Sequence, residues 1–435
     1  MTPALAGPNV RIQCTATGEE LRLPALALPH ELRKLICPLC GASAKVVERR
    51  VASGDKLLVD RATFQFRSPH RFEPVVVRRL NDDGKLETVV KRIVGLPGES
   101  VQIKQGDVFI DGRRYAKSLH ELKRLARPIV DFQHLALAQS NGREPHASDS
   151  AWHWPGASSW DDNRQSFVID GGQFGFSLGD VLNERAMPDD GEFKDQPLAS
   201  IAESWNQLFT VRADQTAPIH DLLLTIDELR VALDARNQEV APSLNLQLGN
   251  GRDTLALTIW PGTRKWLAER NGAELGSGQV FETVDLAAGA QFDLAIVDGT
   301  LQASFGGQEL FRFDSETDRG TPPAGESFFG LTAKADGCRV ELAGLRILAD
   351  LAYSAPSGLG PRAGLDEAFQ LGENEYFVLG DNTAISDDSR FWRKPAVSAA
   401  QIIGRPLLVH WPAERAESWE GWIQVPSPDK IRYIR

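Results

Sequence analysis

Cysteine is scarce in this chain: four residues in 435, too few for a disulfide framework to organise so long a polypeptide. Long apolar runs are missing as well. No stretch of about 18 apolar residues occurs, so no segment of the sequence reads as a membrane-spanning helix, and no signal-peptide pattern opens it. Positive charge is in deficit, with 48 Lys and Arg against 59 Asp and Glu and a formal net charge of −11. That balance excludes the basic face that nucleic-acid binding requires, so no nucleic-acid partner is expected. What is present is ordinary for a folded chain, 42% hydrophobic and 25% charged residues. The length points to two or three domains.

Two stretches carry the chemistry. Residues 89–100 read VVKRIVGLPGES: Val89, Val90, Ile93 and Val94 predict a buried strand around Lys91. A lysine lodged among such residues loses hydration, which pushes its pKa down and fits it to act as a general base. The alternative is a strand-edge lysine that snorkels to water. The second stretch, residues 376–392, reads YFVLGDNTAISDDSRFW.

Together, in this order, the two resemble the bacterial type I signal peptidases, membrane-bound serine proteases with a Ser/Lys dyad. The KRxxGLPGD motif of that family places its general base at Lys91. The GDN…S-x-D-S-R motif implies that Ser386 orients the lysine and that Asp388 and Arg390 form a supporting ion pair. The family nucleophile is the serine of S-M-x-P-T-L, followed after a short gap by a Gly-Asp strand entry. The strand entry is found at Gly54-Asp55-Lys56, but the usual gap leads back to Val46. The opening Met1-Thr2-Pro3-Ala4-Leu5-Ala6-Gly7 is a better match, with residues 8–53 as an insertion. The resemblance then places the serine directly before Met1, outside this sequence, with a membrane anchor upstream of it. Met1 and Pro3 would line the substrate cleft. Ser43 and Ser53, the serines between Met1 and Gly54, have no motif-like setting.

Residues 8–53 contain Cys37-Pro38-Leu39-Cys40-Gly41, similar to a zinc knuckle. Its counterpart reads Cys14-Thr15-Ala16-Thr17-Gly18, with Thr17 where a second cysteine is expected. Cys14, Cys37 and Cys40 with His30 would close a tetrahedral structural zinc site. A decayed ribbon without metal is the other reading. No cofactor is expected for catalysis.

The expected fold is mainly β: a signal-peptidase-type core interrupted by a jelly-roll-like sandwich. Core strands are predicted at Lys56–Val59, Val75–Leu80, Glu87–Val94, Val101–Ile103 and Val108–Ile110, with turns at Asn81–Gly84 and Asp111-Gly112. Residues 54–115 form the first part of the core and 375–435 the second, with linkers at 354–374 and at 116–150, the latter with a short helix at Leu119–Leu125 that leaves extended through Pro128–Asp131. His410, beside the closing strand, reads as structural or exposed. Between the linkers, residues 151–353 carry β-rich runs punctuated by Gly, Asp and Asn, the pattern of a sandwich. Its Ala295–Leu301 and Gly344–Tyr353 segments resemble laminin-G or concanavalin-like jelly rolls. Such domains often bind glycans, and Trp260 and Trp266 are candidates to stack on a sugar; core packing is the commoner use of tryptophan.

The resemblance implies an endopeptidase that cuts signal peptides from exported proteins. It would sit at the outer face of the plasma membrane if the anchor exists, and the chain as given would be soluble. The alternative is a catalytically dead relative whose sandwich binds a glycan or protein partner in the cell envelope.

Overall fold

The computed structural model describes residues 9–24, 35–36, 43–52, 56–134, 136, 152–153, 158–177, 221–233, 241–280, 282–314, 328–353, 362–381, 383, 386–411 and 432–434. The predicted Met1, Pro3, His30, Cys37 and Cys40 lie outside these residues, as does the His410 side chain. No helix among them is long and apolar enough to cross a membrane.

The peptidase-like part is built on an antiparallel sheet. Strand Leu86–Gly95, which carries Lys91, pairs on one side with Pro74–Leu80 and on the other with Glu375–Leu379. Pro74–Leu80 continues to Ile402–Trp411, which also pairs with Lys56–Asp60. Two apolar clusters cover the sheet's two faces. Val75, Val77, Ile93, Val378 and Trp392 lie in one, and Phe72, Val94, Val101, Phe377 and Leu379 in the other. Burial on both faces explains why the lysine strand reads as a near-continuous apolar run rather than as an alternation. The hairpin of Ser100–Lys104 and Asp107–Ile110 packs beside it and closes at Gln105-Gly106, and the expected turn Asp111-Gly112 closes the next hairpin, of Asp107–Ile110 with Arg113–Arg114. Asp111 and Gly112 both adopt positive φ, 50° and 78°, as a two-residue hairpin turn demands.

The insertion is a two-sheet sandwich. One sheet has Leu222–Leu233 at its centre, between Ala290–Val297 and Cys338–Ala343. In the other, Ser243–Asn250 lies between Thr254–Trp260 and Phe329–Asp336. Alternate residues of both sheets, among them Ile226, Leu229, Leu244, Leu246, Leu294 and Leu331, meet in one apolar core. The sequence runs did not mark Lys265–Arg270 and Ala273–Gln279, the outer strands of the second sheet, where charged and small residues dilute the apolar pattern.

Both expected linkers carry structure that ties the parts together. Within 116–150, Ser118 caps helix Leu119–Leu125 through a reciprocal capping box with Glu121. Strand Arg127–Asp131 then pairs with Arg346–Ala349 in the sandwich. Within 354–374, Phe369–Gln370 pairs with the strand starting at Ser100. Leu122 and Ala126 bury against Leu223, Ala295 and Val297 on the outer face of the sandwich sheet. Beside them Lys117 donates to Asp298 at 2.9 and 3.0 Å and to Asp350 at 2.7 Å.

Cys14 is buried and packs with Ala16 against the sandwich core. The Thr17 hydroxyl lies 3.2 Å from His134 Nε2, and the Glu19 carboxylate 2.7 Å from His134 Nδ1. Position 17 is thus engaged in a polar contact with a distant segment. Trp266 corrects one expectation: it is buried, with Phe311 at 5.3 Å from its ring. A Cβ on Gly278 would come within 2.8 Å of the same ring, so this tryptophan is core and not a stacking platform for a sugar.

Candidate active site

Two segments 295 residues apart converge at Lys91. Its ammonium nitrogen lies 2.9 Å from Ser386 Oγ, and the side chain is 9% exposed. Burial pushes the Lys91 pKa down. Asp388, Asp387 and Glu87 pull the other way without reversing the shift, and Arg390 adds to it. A hydrogen bond donated to Ser386 leaves the lone pair of the neutral amine for a proton arriving from elsewhere.

The turn that delivers Ser386 begins at Gly380, where strand Glu375–Leu379 ends. A Cβ there would lie 2.0 Å from Ser386 Oγ and 3.4 Å from Lys91 Nζ. A glycine is therefore required, to make room for the hydroxyl rather than to permit a special φ. Asp388 and Arg390 are fully buried and form a two-point pair, Nε to Oδ1 and Nη2 to Oδ2, both at 2.8 Å. Asp388 Oδ2 also accepts from the Gly380 N–H at 3.0 Å, and Arg390 donates to the Thr383 carbonyl at 2.8 Å. Ser389 accepts from the Val378 N–H at 2.9 Å, and its own N–H donates to the Val378 carbonyl at 3.1 Å. These bonds clamp the 386–391 segment onto the strand before it, so Ser386 is held from both ends.

All four described catalytic candidates, Lys91, Ser386, Asp388 and Arg390, are brought together. The sequence reading passed over a second buried cluster. Arg92, on the opposite face of the strand from Lys91, pairs with Asp381 at 2.9 and 2.8 Å and donates to the Phe72 carbonyl at 2.7 Å. Arg127 reaches the same carboxylate at 3.0 Å. Burial alone would raise the Asp381 carboxyl, but Arg92 and then Arg127 hold it well below the usual carboxylate range. Arg92 and Asp381 sit inside the quoted motifs and carry opposite charge, a signal that was available. Arg127 has no local signal.

The altered turn before Pro74 is also built around charge. Phe72 takes a positive φ of 60°, and buried Glu73 accepts from Arg67 at 2.6 and 2.8 Å. Among the described residues, Asp107, Asp221 and Asp298 bring carboxylate oxygens within 4.8 Å of one another. The ammonium of Lys117 already occupies the Asp298 side of that group.

Residues 22–152 and 355–411 match the family model described as signal peptidase, peptidase S26. The chain is similar to a probable signal peptidase I-2 of Synechocystis, 31% identical over 92 residues, which is 20% of this chain and 42% of that protein. It is also similar to signal peptidase I V of Bacillus subtilis, 33% identical over 64 residues, or 15% of this chain and 36% of the relative. Signal peptidase I of Leptolyngbya laminosa is 34% identical over 64 residues, 14% and 32% of the two chains. The alignments span less than half the length of these relatives. Among solved structures, a Bacillus subtilis protein of unknown function with a galectin-like fold covers 46% of this chain and 90% of its own, at 9% identity and a TM-score of 0.28. Sheep galectin-11 covers 30% and 90%, at 11% identity and a TM-score of 0.22.

Proposed function

The chain belongs to the bacterial type I signal peptidase family through residues 22–152 and 355–411, and from that premise we propose that it is a serine endopeptidase working by a Ser/Lys dyad. The observation that carries this reading is the 2.9 Å contact between the buried Lys91 amine and Ser386. Lys91 is the general base. It takes the proton of the attacking serine hydroxyl as that oxygen adds to the scissile carbonyl, then passes the proton to the departing amine. Ser386 holds the amine in the orientation that receives the proton, and the Asp388–Arg390 pair fixes Ser386.

The attacking serine belongs, on this reading, directly before Met1, as the match of Met1–Gly7 to M-x-P-T-L-x-G suggests. Its backbone N–H would contribute to the oxyanion hole. The substrate is the signal peptide of an exported protein, bound extended along a strand edge with small residues before the cut. The enzyme would act at the outer face of the plasma membrane, held there by an anchor preceding the serine. No cofactor is needed for this chemistry.

The test is the N-terminus of the native protein, read by mass spectrometry of membrane and soluble fractions. Peptides that extend upstream of Met1, with serine immediately before it, are expected in the membrane fraction. A native protein that starts at Met1 or Thr2 and is found in the soluble fraction would overturn the enzymatic reading. Such a protein would instead be a dead relative that acts through its sandwich.

A further inference from the structure

We infer that Arg127, on a strand paired with the inserted sandwich, is a positioning residue for the Lys91–Ser386 pair, so that the insertion acts on the peptidase site through it. The inference rests on the reading of Lys91 as the general base.

The argument begins with where Arg127 is anchored. Its strand, Arg127–Asp131, is hydrogen-bonded in register to the sandwich, with Arg127 opposite Ala349 and Pro128 opposite Leu348. Arg346–Ala349 pairs in turn with the start of Leu222–Leu233, the central strand of that sheet. The backbone of Arg127 is therefore fixed by the sandwich. Its guanidinium, 10% exposed, leaves that sheet and donates to Asp381 Oδ2 at 3.0 Å.

Asp381 is fully buried and receives Arg92 as well, from the lysine strand. One carboxylate thus joins two guanidiniums, one from each part of the molecule, 254 and 289 residues away in sequence. It directly follows Gly380, and Gly380 is the residue against which both Ser386 Oγ and Lys91 Nζ lie. The Gly380 N–H is held by Asp388 on the other side. The turn is consequently held at both ends. Asp388 with Arg390 secures the Ser386 side, and Arg92 with Arg127 secures the Asp381 side. Three of these four groups belong to the peptidase motifs, and Arg127 belongs to a strand that the inserted sandwich holds.

Removal of Arg127 leaves Asp381 with a single guanidinium partner, so the turn loosens and the Lys91 amine gains access to water, which favours its charged form.

The test is competitive amine labelling of the full chain over a pH series, with mass spectrometry of the Lys91 peptide and exposed Lys85 as internal reference. Arg127→Gln should lower the neutral fraction of Lys91 at a given pH by roughly tenfold, an upward move of about one pH unit in its titration. Arg127→Lys keeps a charge but loses the planar fork and should lower it by about two- to threefold. A folded Arg127→Gln protein whose Lys91 titrates as in the parent overturns the inference, whatever happens to its melting temperature. If Arg127→Gln does not fold, Arg127→Lys decides, and an unchanged Lys91 titration in that folded variant overturns the inference too. The labelling reads the amine and not turnover, so failure of this inference is separable from failure of the peptidase reading.

Discussion

At Lys91 the environment decides the chemistry. The burial that stabilises the sheet also disfavours the ammonium, so one set of contacts serves both folding and the proposed base. The reach of that base is set by Gly380, whose missing Cβ makes room for the Ser386 hydroxyl. Gly380→Ala is therefore expected to displace Ser386 from Lys91 while leaving the strand intact. Overpacking of this kind costs about 1–3 kcal/mol of stability. On the proposed peptidase reading, the misplaced hydroxyl should lower cleavage by the native protein by roughly 10²-fold. Steady-state kinetics beside a urea titration checks both numbers, and a variant that loses stability but keeps full activity would remove Ser386 from the mechanism.

The elements show why the site forms where it does. In a strand, adjacent side chains point to opposite faces, so Lys91 and Arg92 reach the same turn from both sides of the sheet: Lys91 meets Ser386 and Arg92 meets Asp381. A two-residue motif in the sequence becomes a clamp across the sheet. The short helix Leu119–Leu125 does the joining between the two parts. Seven residues are too few for an isolated helix to persist in water, and its stability comes from the capping box and from burial of Leu122 and Leu125. Ser118→Ala leaves the Glu121 N–H without its side-chain acceptor and is expected to cost about 1 kcal/mol. Thermal unfolding would register that as a lower melting temperature, and an unchanged value would show that packing alone holds the helix.

On the scale of the whole molecule, the two parts meet over buried charge. The single ammonium of Lys117 contacts two buried carboxylates, Asp298 and Asp350, with Asp221 near them. Burial raises Asp350 to about 7, against the pull of Lys117 and with further repulsion from Asp298 and Asp221. In the unfolded chain an Asp titrates near about 3.9. The folded protein therefore holds a proton there that the unfolded chain has released, and this group's contribution to stability falls as pH rises from about 4 to about 7. Asp381 acts in the opposite sense. Its carboxyl is held low by two guanidiniums, so its contribution is present above about pH 4 and is lost in stronger acid. Urea titrations between pH 4 and 8 should show the Asp350 component as a downward slope that Asp350→Asn removes. An identical slope in the variant would place the proton elsewhere.

How much of this was legible in the sequence varies by residue. Lys91, Ser386, Asp388 and Arg390 could be read because they sit at fixed spacings within short motifs. The five core strands were legible to within a residue or two because β-branched runs between turn residues report burial directly. The outer sandwich strands Lys265–Arg270 and Ala273–Gln279 were not: the second is the half-wetted edge of the sheet, and in the first, paired on both sides, Lys265, Glu269 and Arg270 dilute the apolar pattern. The helix Leu119–Leu125 and the extended Pro128–Asp131 were legible from local pattern, but their docking on the sandwich was not, since it depends on partners far along the chain.

The sequence by itself determined the mainly β fold class with its β-sandwich insertion, and the short motifs whose residues Lys91, Ser386, Asp388 and Arg390 meet in space. These follow from local pattern, which depends on neighbours a few residues away. Only the tertiary structure decided that Arg92 and Arg127 share Asp381, that Trp266 is buried, and that Lys117 serves two carboxylates. Each of those depends on desolvated side chains brought together across 100 residues or more, or across facing sheets, and burial, unlike spacing, is a property of the folded chain.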